Sequence, residues 1–254
     1  MFCVSYIQLT WDHPQDLWVG VMRDEDIDRR LISRDAPRRA HENFSVSNRD
    51  GASFQCKIDD VRRIEDLKRW RSVVFPLIRK DSARIDRNWF VPALWRIVFW
   101  VSAKKDPHCA VAYYTDSLNE KLPLGILFYL GSQKFILDIN SMSHYSYFLS
   151  TFPRDGVLPS EVLAPRGVGR HLIAHVVSKS ILLGQNGFHW LHAAAKGKSL
   201  PAYYMGQCHM KPVDQSRTFY IRENLTNTHR DLYFTHEADT ALMLMRDVSP
   251  EWGQ

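Results

Sequence analysis

The chain has 254 residues, of which 45% are hydrophobic and 24% charged. It is therefore long enough for one large domain, and too apolar to be disordered. The net charge of +5 permits an anionic partner but does not require nucleic acid. The four cysteines, Cys3, Cys56, Cys109 and Cys208, lie too far apart in sequence to indicate a zinc site or a secreted disulfide framework.

The first 52 residues are predicted to form an N-terminal extension. They contain a short apolar strand at 3–9, a charged helix at 24–34 and a polar connection rich in Asn and Ser that runs through Gly51. No basic leader and no run of 18 apolar residues is present. We therefore expect a cytoplasmic protein with no membrane span, and a second unit over residues 53–254.

From Phe54 the pattern predicts the order β-α-α-β-β-β-α-β-α-β-β, which is a mixed α/β fold. The predicted strands cover 54–60, 110–116, 124–131, 134–142, 188–195, 217–223 and 239–245. Helical spacing covers 62–78, 88–103 and 171–183, and a short helix is expected after Pro201. The aromatic stretch 144–163 is predicted to be a long loop, which could form a wall of a substrate site.

A glycine-rich turn precedes the clearest helical pattern. It consists of Arg166, Gly167, Val168, Gly169 and Arg170. Glycines let the backbone approach a ligand closely, and the first N–H groups and the dipole of a helix favour an anion such as pyrophosphate. The sequence contains no Walker loop, and Leu172 stands where a dinucleotide fingerprint needs its third glycine. The turn therefore predicts an anion site, with a ligand-free strand-to-helix turn as the alternative.

This segment resembles the pyrophosphate-binding loop of the GNAT acetyltransferase superfamily. Residues 167–172, GVGRHL, match the glycine half of the family pattern, whereas Ala164 stands where the family has Gln or Arg. Residues 54–70, 123–131 and 188–212 resemble, in order, the family's first strand and helix, its third strand, and its fifth strand with a Tyr-bearing helix. The order of elements agrees over roughly residues 53–246. The resemblance implies a mixed, mostly antiparallel central sheet flanked by helices.

The resemblance also implies a CoA-dependent N-acyltransferase with acetyl-CoA or another acyl-CoA as cosubstrate and an amine as acceptor. The glycine turn would bind the phosphates through Arg166, Gly167, Val168, Gly169 and Arg170. Tyr204 would protonate the departing thiolate, with Tyr203 as its hydrophobic neighbour. The base that accepts the amine proton would be Glu161, because it lies close to the turn. Asp138 and His144 are the alternatives.

Two other functions stay open on the sequence. Because Ala164 departs from the family pattern, the chain could also be a catalytically degenerate protein of the same fold that binds CoA or a protein partner. A nucleic-acid-binding protein could use the basic segment 62–71 with Trp70 for base stacking, although Glu65 and Asp66 interrupt the positive charge. His171 and His175 have a spacing that can bind metal, but no third ligand lies nearby in sequence, so a metal site is not expected.

Overall fold

The computed structural model describes residues 40–82, 84–89, 91–96, 98–99, 106–116, 119–153, 156–158, 163–194, 199–214, 231–249 and 252. Within these residues the chain forms one eight-stranded sheet. The strands are β1 (Asn43–Ser47), β2 (Ser53–Val61), β3 (Pro107–Thr115), β4 (Lys121–Phe135), β5 (Asp138–Thr151), β6 (His189–Ala194), β7 (Lys211–Pro212) and β8 (Asp231–His236). They lie side by side in the order β1-β2-β3-β4-β5-β6-β8-β7.

Five α-helices accompany the sheet in the described residues. They are α1 (Phe75–Lys80), α2 (Val91–Arg96), α3 (Val168–Leu182), α4 (Ser199–Ala202) and α5 (Ala238–Val248). A π-helical turn, Trp70–Val74, precedes α1, and another, Tyr203–Gln207, follows α4. Short 3-10 turns lie at Ile64–Leu67 and Ile85–Asn88.

Neighbouring strands pair antiparallel, with the single exception, among the described strands, of β5 and β6. A parallel pair needs a crossover connection, and α3 lies in that connection. This confirms the mixed, mostly antiparallel sheet flanked by helices.

The two faces of the sheet are covered by different helices. On one face, Ile173 and Val177 of α3 pack with Leu191 of β6 and with Leu244 of α5 in one hydrophobic cluster. On the other face, Trp95 of α2 packs edge-on against Phe128 of β4. Because side chains alternate along a strand, each strand contributes to both layers.

Three of the sequence predictions are wrong in detail. The predicted strand at 134–142 contains a hairpin turn, since β4 ends at Phe135 and β5 begins at Asp138. The predicted loop at 144–163 is strand as far as Thr151, because its aromatic and β-branched side chains suit a buried sheet. The predicted last strand at 239–245 lies within α5, where Ala241, Leu244 and Met245 are buried at helical spacing.

β2 begins at Ser53, where the second unit is predicted to start, and the division of the chain into an extension and a second unit stays a prediction. Residues 43–47, expected in a polar connection, instead form β1 and pair with β2. The alternation of Phe44 and Val46 with polar residues explains this, because both side chains are buried in the core. The strand predicted at 3–9, the helix at 24–34 and the strand at 217–223 lie outside the described residues.

No helix in the described part of the chain is long and apolar enough to cross a membrane. Cys56, Cys109 and Cys208 are buried free thiols.

Candidate functional site

The sheet contains a fork between its two parallel strands. β5 and β6 are paired only where His144–Ser146 lie beside His189–Leu191, although β5 continues to Thr151 and β6 to Ala194. A β-bulge at Tyr147 interrupts the pairing of β5 with β4 at the same level. Bulges bend a strand away from its neighbour. The edges of β5 and β6 that face each other beyond Ser146 therefore present backbone groups outside the ladder between these strands.

The glycine turn lies at the N-terminus of α3. Gly167 is the N-cap residue and has a φ of 86°, a left-handed conformation that glycine adopts without strain. A Cβ atom added to Gly169 would lie 2.9 Å from Oη of Tyr203 and 3.4 Å from Cγ2 of Thr151, so only a glycine fits there without displacement. The N–H of Arg170 in the first turn donates to the carbonyl oxygen of Gly167 over 2.9 Å. The N-terminus of this 15-residue helix carries the positive end of the helix dipole, which would favour an anionic ligand.

Arg166 and Arg170 have different environments. Nη2 of Arg166 is buried and has no hydrogen-bond partner within the described residues. Arg170 donates from Nη2 to Oδ2 of Asp247 on α5, over 2.5 Å, and Nε2 of His209 lies 2.6 Å from the same oxygen. Nε of Arg170 is likewise buried without a hydrogen-bond partner within the described residues. A buried N–H group without an acceptor is costly, and an anionic ligand could accept from either arginine. Arg170 in addition ties α3 to α5.

The β1–β2 hairpin supports the glycine turn, a contact that the sequence analysis did not anticipate. The N–H of Arg166 donates to the carbonyl oxygen of Ser47 over 3.0 Å. Nδ2 of Asn48 donates to the carbonyl oxygen of Leu163 over 3.3 Å. The position of a Cβ on Gly167 would be 3.9 Å from Cγ1 of Val46. The hairpin thus holds both ends of the segment that leads into α3.

The two adjacent tyrosines differ in what they contact. Tyr204 is buried with Phe234 and other core residues, and burial raises the pKa of its hydroxyl. Tyr203 is only partly buried, and its hydroxyl lies at the first turn of α3, against Gly169. Burial raises the pKa of Tyr203 well above its usual value, and neighbouring Cys208, with which it shares a hydrogen bond, raises it further. Both phenols therefore stay protonated at neutral pH, and Tyr203 is the one next to the anion-binding turn.

The candidates for the base are dispersed. Glu161, the first choice from sequence, lies outside the described residues. Asp138 is the first residue of β5 and bonds to Ser141, nine residues before the bulge at Tyr147. Asp138 pairs with Phe135 beside the β4–β5 turn, so it lies at the end of β5 away from the fork. His144 is buried and contacts Gln185, and its pKa is lowered to about 4, chiefly by burial.

A buried network of polar side chains joins α3 to His41 and to β2. Nε2 of His41 lies 2.9 Å from Nδ1 of His171, and Nδ1 of His175 donates to the carbonyl oxygen of His41 over 2.8 Å. Asp60 of β2 pairs with Lys179 of α3. Although burial alone would raise the pKa of Asp60, the contacts with His175 and Lys179 keep it below its usual value. His171 and His175 are thus used in packing, and the described residues contain no cluster of three or more potential metal ligands.

Trp70, the residue that a nucleic-acid-binding function would need for stacking, is 1% exposed and belongs to the core. It is therefore unavailable to a base. The basic segment around it lacks the aromatic platform that single-stranded nucleic acids require.

The sheet agrees with the mixed, mostly antiparallel sheet flanked by helices that the resemblance to the GNAT superfamily implies. No protein-family model matches the chain, and no curated protein matches it in sequence.

Solved structures of acetyltransferases are similar to this chain in fold. A chimera of the spermidine N-acetyltransferase SpeG from Vibrio cholerae and hSSAT matches with 12% identity over 74% of this chain and 98% of its own, at a TM-score of 0.44. The Vibrio cholerae spermidine N-acetyltransferase in complex with CoA and spermine matches with 13% identity over 74% and 98%, at a TM-score of 0.42. A GNAT-family acetyltransferase from Staphylococcus aureus matches with 10% identity over 70% and 98%, at a TM-score of 0.42. These values are too low to transfer an activity or a residue's role to this chain.

Proposed function

We propose that this chain is a CoA-dependent N-acyltransferase that moves an acyl group, most simply acetyl, from acyl-CoA to an amine. The observation that carries the proposal is the pair of buried N–H groups without an acceptor among the described residues, at Nη2 of Arg166 and Nε of Arg170, on either side of the Gly167 turn at the N-terminus of α3. This combination fits the pyrophosphate of CoA, since it offers backbone donors, a helix dipole and a fixed positive charge in one place.

The fork lies beside this site and offers further groups that acyl transfer requires. Acyl-CoA brings an activated thioester, and the chain has to orient it, stabilise a developing oxyanion and protonate a thiolate. Backbone N–H groups on the separated edges of β5 and β6 are fixed dipoles of the kind that stabilise an oxyanion. The first turn of α3, where the phosphates would bind, contacts Leu149 and Thr151 of the β5 arm of this fork.

The proton for the thiolate would come from one of the two tyrosines. Tyr204 stays the prediction from sequence, but the contacts favour Tyr203, because its hydroxyl lies against Gly169 in the anion-binding turn. A phenol that stays protonated at neutral pH is suited to act as an acid. In this proposal Tyr204 supports the position of Tyr203 by packing against it, with ring centroids 5.3 Å apart.

Binding of acetyl-CoA tests the proposal directly. Acetyl-CoA should raise the thermal midpoint of the full chain, because a ligand that binds only the folded state stabilises it. Arg166→Gln should raise the acetyl-CoA concentration that gives the same shift about tenfold, as expected for the loss of one charge-assisted contact. The matched control is Arg62→Gln, which removes the same charge from an exposed position.

The melting shift and the release of CoA together distinguish an acyltransferase from a degenerate binding protein. No shift with millimolar acetyl-CoA would contradict the proposal. A shift without release of CoA in the presence of any amine would instead identify a degenerate binding protein, the function that Ala164 in place of Gln or Arg leaves open.

A further inference from the structure

A series of buried polar groups crosses three strands of the sheet, and we call it the His189–His236 network. It consists of Ser146 on β5, His189 on β6, His236 on β8 and the carbonyl oxygen of Cys208. Oγ of Ser146 lies 2.7 Å from Nε2 of His189. Nδ1 of His189 lies 3.2 Å from Nδ1 of His236, and Nε2 of His236 lies 2.6 Å from the Cys208 oxygen.

The residues of this network are removed from solvent. Ser146 is 3% exposed, and His189, His236 and Cys208 are 0% exposed. Burial lowers the pKa of His236 to about 4 and lowers that of His189 well below its usual value, so both rings are neutral at pH 7. A buried polar group is costly unless it has a hydrogen-bond partner, and each nitrogen of the two rings has one.

The last acceptor of the network fixes the direction of every hydrogen bond in it. A carbonyl oxygen only accepts, so Nε2–H of His236 donates to Cys208. In a neutral ring the other nitrogen has the lone pair, so Nδ1 of His236 accepts from Nδ1–H of His189. For the same reason, Nε2 of His189 accepts from the hydroxyl of Ser146. One arrangement of protons therefore satisfies the whole network.

The two ends of the network lie at two parts of the candidate site. Ser146 is the last β5 residue paired with β6, directly before the bulge at Tyr147, so it stands where the fork opens. Cys208 directly follows the π-helical turn that begins at Tyr203. Its N–H donates to the Tyr203 carbonyl oxygen over 3.2 Å, and its thiol shares a hydrogen bond with the Tyr203 hydroxyl. The network thus joins the fork to the tyrosine that lies against Gly169.

We propose that His236 is a positioning residue for acyl transfer, which sets the Tyr203 hydroxyl relative to the fork through Cys208. This inference rests on the proposed function, in which Tyr203 gives a proton to the departing thiolate. His236 holds the Cys208 carbonyl, and Cys208 holds Tyr203 at its backbone and at its hydroxyl. The network itself neither gives nor takes a proton in the reaction.

A directional link at this place has a use that apolar packing does not supply. Apolar side chains fill the neighbouring positions of the same two strands, at Leu191 on β6 and Phe234 on β8. Hydrophobic burial is non-directional, whereas a fully satisfied buried network specifies one arrangement of its members. Misplacing a catalytic group by about 1 Å can lower a rate about 100-fold. The hydrogen bonds of His189 and His236 therefore fit a role in fixing the acid.

Two substitutions of His236 separate its two hydrogen bonds. His236→Gln places an amide N–H near the position of Nε2 and keeps a donor for Cys208. His236→Asn places an oxygen near the position of Nδ1, keeps an acceptor for His189 and leaves the Cys208 carbonyl without its donor. His236→Asn should therefore lower kcat about tenfold or more, whereas His236→Gln should stay within threefold of the parent chain. The KM for acetyl-CoA and its melting shift should be unchanged in both variants.

These values come from release of CoA from acetyl-CoA by the full chain. The acceptor is the fastest amine from a panel of spermidine, phenethylamine and lysine ethyl ester. Hydrolysis of acetyl-CoA, which needs no amine but releases the same thiolate, is the second measure.

A double-variant cycle with Tyr203→Phe shows whether His236 acts through that tyrosine. His236→Asn should lower kcat less than twofold in the Tyr203→Phe chain, because the hydroxyl that it positions is already absent. A purely structural role would lower kcat by the same factor in both chains and would overturn the proposal. Thr235→Val is the matched control, since it removes a buried hydrogen bond of β8, to the His189 carbonyl oxygen, outside the network. It should lower the melting temperature without changing kcat.

Failure of the proposed function gives a different result from failure of this inference. Absence of an acetyl-CoA melting shift in the unaltered chain would contradict the function itself. If that shift is present, equal kcat values for His236→Gln and His236→Asn would overturn the positioning role. If neither variant folds, Cys208→Ala decides, because it removes the thiol that holds the Tyr203 hydroxyl and leaves the carbonyl in place. It should lower kcat about threefold or more, and an unchanged kcat would overturn the proposal.

Discussion

The two sides of the fork are built by different means. On the α3 side, backbone amides, two glycines and Arg166 form the proposed anion site within five consecutive residues. On the opposite side, four tyrosine and tryptophan side chains from three strands lie in one cluster with His192: Tyr145, Tyr147, Trp190 and Tyr233. A site made of backbone requires glycine, and therefore has a local signature in the sequence. A site made of side chains from separate strands has none, because the spacing between its members depends on sheet order.

The largest effect is expected from the two tyrosines on the α3 side. Tyr203→Phe should lower kcat about 100-fold, because it removes the hydroxyl against Gly169, while acetyl-CoA still raises the melting temperature. Tyr204→Phe should lower kcat much less, since Tyr204 acts through packing. Because the two variants make the same change at neighbouring residues, each serves as the control for the other when kcat is measured. Equal losses, or a larger loss for Tyr204→Phe, would reverse this assignment in favour of the sequence-based one.

The second effect concerns the glycines of the turn. Gly169→Ala should reduce kcat/KM for acetyl-CoA about tenfold or more, because the new Cβ would lie 2.9 Å from the Tyr203 hydroxyl and displace it or the turn. Gly206→Ala is the control, since a Cβ there meets nothing within 4 Å. The two variants are compared by measuring kcat/KM for acetyl-CoA at a fixed concentration of one amine. Equal kinetics for both variants would show that the close approach at 169 has no role.

A smaller effect is expected from the hairpin that supports the turn. Asn48→Ala removes the donor to the Leu163 carbonyl and the acceptor of two hairpin N–H groups, which should cost about 1–3 kcal/mol of unfolding free energy. The KM for acetyl-CoA should rise a few-fold while the KM for the amine stays constant. Ser45→Ala, an exposed change in the same hairpin, should leave stability and both KM values unchanged. A rise in both KM values would indicate a general loss of structure.

The last prediction is the dependence of stability on pH, which accumulates gradually as the pH falls. The pKa of His41 is lowered to about 4 and that of His171 to about 3, in each case chiefly by burial. Because both folded-state pKa values lie below the unfolded value of 6.5, stability is full above about pH 6.5 and falls as the pH drops toward 4. Each group contributes a slope of at most about 1.4 kcal/mol per pH unit.

Urea unfolding at several pH values measures this slope. His171→Asn should be less stable at pH 7 but should lose less stability on acidification than the parent chain. A slope between pH 6.5 and 4 that His171→Asn leaves unchanged would contradict the role of burial at this position.

Much of the fold was predictable because local patterns and tertiary structure agree. The helix at 171–183 and the strands at 110–116 and 124–131 have strong apolar patterns, and each matches an element of the sheet or α3. The prediction failed at 239–245, where short apolar spacing fits either a strand or a helix. It also failed at 144–151, which was assigned to a long link between two predicted strands.

The candidate site was predictable only in part, for a related reason. The glycine turn was found because its backbone requirement is written in consecutive residues. The contacts of Asn48 and His192 were not found, because each joins segments more than 40 residues apart. Alternation along a strand places His189 and His192 on opposite faces, but it does not say which face adjoins the fork.

The sequence by itself determined the glycine turn before α3, the order of strands and helices from β2 to β6, and the alternation that assigns side chains to faces. These follow from backbone conformation and from periodicity, which act over a few residues. Only the tertiary structure decided which tyrosine lies against the turn, which side-chain nitrogens of the two arginines lack an acceptor among the described residues, and which aromatic residues meet at the fork. Those properties depend on contacts between distant segments, and the parallel pairing of β5 with β6 brings those segments together.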